Sequence, residues 1–150
     1  MATAENTYVD PSALLTLYLH QQESKMMNSW RSRADGPIAV THHGRVEITN
    51  GICLAAFRKA ITAAAMRDAL ESLDEDFDSG ACVQADLLWR ATLKRAGELS
   101  RRHTPTLGCR SLDVLHVACA LELGFKNFLT FDRRQQNLAR SAGLRPIRLR

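Results

Sequence analysis

The sequence lacks any apolar run approaching the roughly 18 residues of a membrane-spanning helix, so no such helix is expected. It has only four cysteines, Cys53, Cys82, Cys109 and Cys119, far apart and with no CxxC pair. That spacing argues against a paired-cysteine zinc site and against a disulfide framework. Cys53 and Cys119 fall in helix-like apolar stretches and read as small core residues. The opening residues, MATAENTYVD, show neither the basic region nor the apolar stretch of a secretory signal. With the cysteine usage, this leads to the expectation of a cytoplasmic protein. No internal repeat, low-complexity tract or long Gly/Ser/Pro linker divides the chain, so one domain over residues 1–150 is expected.

A hydrophobic fraction of 45% and a charged fraction of 24% over 150 residues describe a globular chain long enough for a proper core. The net charge of +4 is a mild basic bias, compatible with a polyanionic partner. Arg90, Lys94, Arg95, Arg101, Arg102, His103 and Arg110 crowd one region, and Arg145, Arg148 and Arg150 another. The acids gather instead in ESLDEDFD, residues 71–78. Each cluster reads equally well as a solvated face.

Strand and helix signals alternate along the whole chain. TYVD (7–10) reads as a strand, followed by Pro11, Ser12 and the helical run ALLTLYL. A helix is predicted over 23–34, a strand over 38–41 and a helix over about 43–60. The segment AAAMRDALESLDEDF follows as a helix, with Met66, Ala69, Leu70 and Leu73 on one face. ACVQAD (81–86) is a weaker strand, and LLWRATLKRAGELSRR an amphipathic helix. SLDVLHVACALEL is the next helix, with Ser111 as N-cap and Gly124 at its end. NFLTF is a strand, RRQQNLARSA a helix ended by Gly143, and LRPIRL a last short strand. This alternation is the signature of an α/β sandwich around a mostly parallel sheet, in which sites form beyond the carboxyl ends of the strands.

Four acids stand in otherwise apolar surroundings. Asp10 ends the first strand, Glu47 lies early in the third helix, Asp113 lies in the first turn of SLDVLHVA, and Asp132 ends NFLTFD. On a parallel sheet these positions converge on one edge. Converging carboxylates repel, and a hard divalent cation such as Mg²⁺ or Mn²⁺ relieves the repulsion through oxygen ligands. Such a site suits phosphodiester hydrolysis, with nearby arginines holding a polyanionic backbone. Three of the acids also have a purely structural reading. Asp113 is then a first-turn acid interacting with the helix dipole, worth ~0.3–1 kcal/mol. Asp132 and Asp10 are then N-caps of the helices that follow them.

Other residues invite weaker readings. His116, three residues after Asp113, shares its helix face and reads as a structural histidine hydrogen-bonded beside the site. His42 and His43 read as a feature of the helix start, and Trp30 and Trp89 as packing residues. Asp86 also ends a strand, but nothing around it matches a site motif.

The order and context of these motifs resemble the PIN-domain family, in particular the VapC-type ribonuclease toxins of bacterial toxin–antitoxin pairs. The resemblance covers nearly the full length and is strongest in SLDVLHVACALELGFKNFLTFDRRQQNLARSAGL. YVDPSALLTLY is similar to the family's N-terminal motif, and VEITNGI to its middle motif. The resemblance implies a PIN-like three-layer α/β sandwich with a central, mostly parallel sheet flanked by helices. It places the family's acidic quartet, as metal ligands and catalytic residues, on Asp10, Glu47, Asp113 and Asp132. It implies Mg²⁺, with Mn²⁺ as an alternative, and endonucleolytic cleavage of RNA. Ser12, Asn50 and Thr130 match polar positions that support the quartet by orienting carboxylates or water. It further implies a small cognate antitoxin as partner, and a homodimer or a hetero-oligomer with that antitoxin.

Two other classes compete. One is a PIN fold that holds RNA or a protein without cleaving it; the intact quartet argues against that. The other is a phosphoacceptor or aspartyl-phosphatase domain, which would need a second acid near Asp10; Pro11 and Ser12 supply none.

Overall fold

The computed structural model describes residues 2–150. The chain runs β1 (Thr7–Val9), α1 (Pro11–Leu15), α2 (Ser24–Arg33), β2 (Ile38–Thr41), α3 (His42–Phe57) and α4 (Ala63–Asp78). It continues with β3 (Cys82–Ala85), α5 (Trp89–Leu107), α6 (Ser111–Glu122), β4 (Asn127–Leu129), α7 (Arg133–Ser141) and β5 (Arg145–Pro146). Every strand pairing is parallel: β1 with β4, β4 with β5, and β2 with β3. The pairings form two ladders, β1-β4-β5 and β2-β3, and β2 packs beside β1 without sharing a ladder with it.

The lateral order is therefore β3, β2, β1, β4, β5. The chain moves outward from β1 to β3, then crosses back to continue from β4 to β5. The direction reverses between β1 and β4. In parallel sheets the crevice outside the carboxyl ends of the strands at such a reversal is where ligands bind.

The central strands β1, β2 and β4 are short and largely buried on both faces, as a sheet covered by helices requires. In β1, Tyr8 and Val9 point to opposite sides, and Phe128 and Leu129 repeat the alternation in β4. Val9 and Leu129 pack with Leu14, Met27, Trp30, Ile48, Ile52 and Leu73 from α1 to α4. Tyr8 and Phe128 pack with Leu99, Val114, Val117 and Leu138 from α5 to α7. Three layers result. Full burial of side chains such as Phe128 and Leu129 stabilises the fold by ~1.5–3 kcal/mol each. Among the described residues no helix is long and apolar enough to cross a membrane.

Two glycines hold elements in place. A Cβ on Gly44 would lie 2.8 Å from Thr41 Oγ1, the atom that caps α3 by accepting the Gly44 N–H. Gly124 adopts φ +78° just past α6, a conformation that costs other residues energy.

Several boundaries differ from the sequence expectation. The run ALLTLYL is helical only to Leu15; the Thr16 hydroxyl donates back to the Ala13 carbonyl, and turns follow. Ser111 is the first residue of α6 and not its cap; Arg110 takes the cap position without a side-chain bond to the helix backbone. Helix α5 continues through Pro105 to Leu107, where Gly108 ends it with a left-handed backbone. LRPIRL contributes only a two-residue strand, because pairing with β4 covers only Asn127 and Phe128.

Candidate active site

Asp10 follows β1 directly and caps α1. Its backbone N–H donates to the Leu129 carbonyl at 2.9 Å, tying the end of β1 to the end of β4. The extended backbone of a cap leaves its carboxylate free to accept bonds. The Ser12 N–H donates to Asp10 Oδ2 at 3.0 Å, and the Ser12 hydroxyl donates to the same oxygen. The Gln135 amide donates to Asp10 Oδ1 at 2.9 Å. Asp10 is 5% exposed, so these three donors replace the water it gives up.

Asp132 caps α7, accepting the Gln135 N–H at 3.0 Å. The Thr130 hydroxyl accepts the Asp132 N–H at 3.2 Å, and the Thr130 carbonyl accepts the Gln136 amide. Asp113 sits one turn into α6 and is partly buried, and the Arg110 Nε donates to it at 3.2 Å. The same guanidinium lies 3.9 Å from Asp132 Oδ2. Arg110 itself is open to solvent, and its hydrogen bond to Asp113 raises its pKa.

Glu47 comes from α3, on the other side of the sheet order. Its Oε2 lies 2.8 Å from Nε2 of His116, which is almost fully buried. His116 Nδ1 lies 2.7 Å from the Tyr8 hydroxyl. Burial holds the Tyr8 phenol well above its usual pKa, with nearby Cys119 and Asp10 adding to the effect. His43 stacks on His116 with ring centroids 4.8 Å apart and meets Trp89 edge-on. Burial lowers the His43 pKa, with His116 adding to the effect.

One hollow of about 660 Å³ lies among these residues. Asp10, Ser12, Glu47, Asp113 and Asp132 all face it, with Arg110, Ser111, Leu112 and His116. It opens at the carboxyl ends of β1 and β4, where the sheet order reverses. Thr130 stands behind Asp132 and is buried. Asn50 is not brought there. It is exposed on α3 and lines a separate depression with His42, Arg45 and Gln84.

The structural reading of the caps holds alongside the gathering of the acids, since Asp10 and Asp132 each cap a helix and face the hollow. The four carboxylates that face the hollow are oxygen donors of the kind that suits a hard divalent cation. As the side chains stand, no group of three or more His, Cys, Asp or Glu residues among the described residues lies close enough to hold one ion. Mg²⁺ commonly takes one or two carboxylates and keeps several waters, a demand that these residues meet.

Sequence reasoning missed two participants. Gln135 joins Asp10, the Asp113 carbonyl and Asp132, yet in DRRQ it reads as the fourth residue of a capping box. Arg110 was counted within a basic cluster, although its spacing of three from Asp113 was a usable signal.

The family model described as PIN domain matches residues 7–141. No curated protein matches the chain. The matched span begins at β1 and ends with α7, so it includes all four acids, Gln135 and His116.

Proposed function

This chain belongs to the PIN-domain family, and on that premise we propose that it is a metal-dependent endoribonuclease that cleaves RNA phosphodiester bonds. The observation that carries the reading is the gathering of Asp10, Glu47, Asp113 and Asp132 around one hollow at the reversal of the sheet. PIN domains are generally metal-dependent nucleases, and a surface lined by four acids otherwise suits neither RNA nor an apolar ligand.

Asp10, Glu47, Asp113 and Asp132 would hold Mg²⁺ or Mn²⁺, some of them through water. The ion would supply a more acidic bound water and stabilise the attacking and leaving oxygens of an in-line displacement. The protein's own residues do the rest. Ser12 and Gln135 fix the Asp10 carboxylate, Thr130 steadies the backbone of Asp132, and Arg110 offers an exposed planar fork to a phosphate. Water adds to phosphorus, the bond to the leaving ribose oxygen breaks, and that oxygen takes a proton.

Within this reading the chain is the toxin of a VapBC-type pair, a cytoplasmic protein restrained by a small antitoxin and forming a homodimer or a complex with it. Expression alone is then expected to arrest bacterial growth, and co-expression of the antitoxin to relieve it. Harmless high-level expression of folded, metal-loaded protein would contradict the toxin role.

A second reading is a PIN fold that binds RNA or a protein without cleaving. Arg110 favours it, because its guanidinium already lies between Asp113 and Asp132. Incubation with total cellular RNA, with EDTA and with Mg²⁺ or Mn²⁺, separates the two. Discrete new RNA ends that need the metal and disappear in Asp10→Asn support the nuclease; metal-independent binding without new ends supports the module.

A further inference from the structure

We propose that His116 and Tyr8 form a buried positioning pair that aims the Glu47 carboxylate into the hollow, with His116 held as its Nε2–H tautomer. Glu47 is the outlying member of the quartet. Asp10 and Asp132 follow the paired strands β1 and β4, and Asp113 stands on α6, which shares the Tyr8–Phe128 core with them, whereas Glu47 arrives on α3, which packs on the opposite face of the sheet with Val9. Asp10 is fixed by Ser12 and Gln135, and Asp132 by its own helix. The bond from His116 is the one side-chain contact, among the described residues, that fixes Glu47.

The hydrogen-bond roles follow from the atoms. An ionised carboxylate only accepts, so the proton between Glu47 Oε2 and His116 Nε2, 2.8 Å apart, belongs to the imidazole. A neutral imidazole then has a bare Nδ1, and the Tyr8 hydroxyl, 2.7 Å away, donates to it. The Tyr8 ring cannot turn away. It stacks on Phe128 at 5.4 Å and meets Phe125 edge-on. The chain Tyr8–His116–Glu47 thus runs from the sheet core to the hollow, with Tyr8 and His116 held by burial and Glu47 held by its bond to His116.

Such outer partners set the direction of a carboxylate, and removing them typically costs ~10–100-fold in metal affinity or activity. The tautomer stands by itself; the effect on cleavage rests on the nuclease reading above. Nitrogen NMR of the imidazoles in metal-free, folded protein tests the first part. A protonated Nε2 and a hydrogen-bonded, bare Nδ1 are expected for His116, and a protonated Nδ1 would overturn the pair. Tyr8→Phe keeps the aromatic stack and removes the donor. Mn²⁺ binding by electron paramagnetic resonance is expected to weaken about tenfold in this variant, with kcat for RNA falling more than KM rises. Unchanged Mn²⁺ affinity in a folded Tyr8→Phe protein would overturn the positioning role. His116→Gln, whose amide also donates to Glu47, is expected to retain more Mn²⁺ affinity than His116→Leu. Equal loss in both would count against the hydrogen bond. Wild-type protein that binds Mn²⁺ yet cuts no RNA would reject the nuclease reading and leave the binding comparison to decide the pair.

Discussion

The two walls of the hollow balance their charge in opposite ways. On the β1 side, Asp10 is nearly buried and receives bonds from the Ser12 N–H, the Ser12 hydroxyl and the Gln135 amide. On the α6 side, Asp113 and Asp132 are partly open and face the single exposed guanidinium of Arg110. The first wall is neutralised by donors built into the fold. The second is balanced by a side chain in solvent, where ion pairs contribute little. The difference teaches which acids the fold needs for itself and which are left for an external cation. Asp10 is a structural element that also faces the site; Asp113 and Asp132 have carboxylate oxygens to spare.

At neutral pH the largest effect on folding is therefore expected at Gln135. Gln135→Leu leaves the buried Asp10 oxygen without its amide donor and should lower stability by ~2 kcal/mol, read from urea unfolding in EDTA. Combined with Asp10→Asn, the two changes should destabilise less than their sum, because they share one bond.

A separate effect, absent at neutral pH, is expected in alkali, which probes the layer behind the first wall. Burial pushes the Cys119 thiol up to about 12 from an ordinary value of 9.0. The folded thiol keeps its proton where the unfolded one loses it. Stability from this group is therefore complete below pH 9.0 and is lost as pH rises toward about 12. Cys119→Ala should flatten the fall in unfolding free energy over that range; an unchanged slope would assign the fall to other groups, Tyr8 first among them, whose pKa is also raised.

The smallest effect on folding is expected at Arg110. Arg110→Ala should leave the urea midpoint unchanged and tighten Mn²⁺ binding, since the guanidinium competes for the same carboxylates. A variant that unfolds earlier than Gln135→Leu would reverse the comparison between the walls.

Much of this was legible in the sequence because it is local. Alternating strand and helix signals located every element, and the acids at strand ends and helix starts marked the edge of the sheet where they gather. ALLTLYL read as one helix because its apolar spacing continues past Leu15; the back-bond from Thr16 and the following turns come from packing, not periodicity. Asn50 matches a polar position of the family's middle motif, but α3 aims it at another depression. Gln135 and Asp10 are separated by 125 positions, and Tyr8 and His116 by 108. A single sequence carries no signal for which polar side chains meet across such distances. The layered core hides them further, because Tyr8 reads as an ordinary strand aromatic and His116 sits among apolar residues.

The division between structural and available acids is tested most directly at Asp113. Single-turnover cleavage of total cellular RNA, measured beside thermal unfolding in EDTA and in Mn²⁺, distinguishes the roles. Asp113→Asn should fold as wild type in EDTA, gain less stabilisation from Mn²⁺, and cut no RNA. An Asp113→Asn protein that melts earlier yet cuts RNA at the wild-type rate would make Asp113 a helix-terminus acid and contradict the nuclease site.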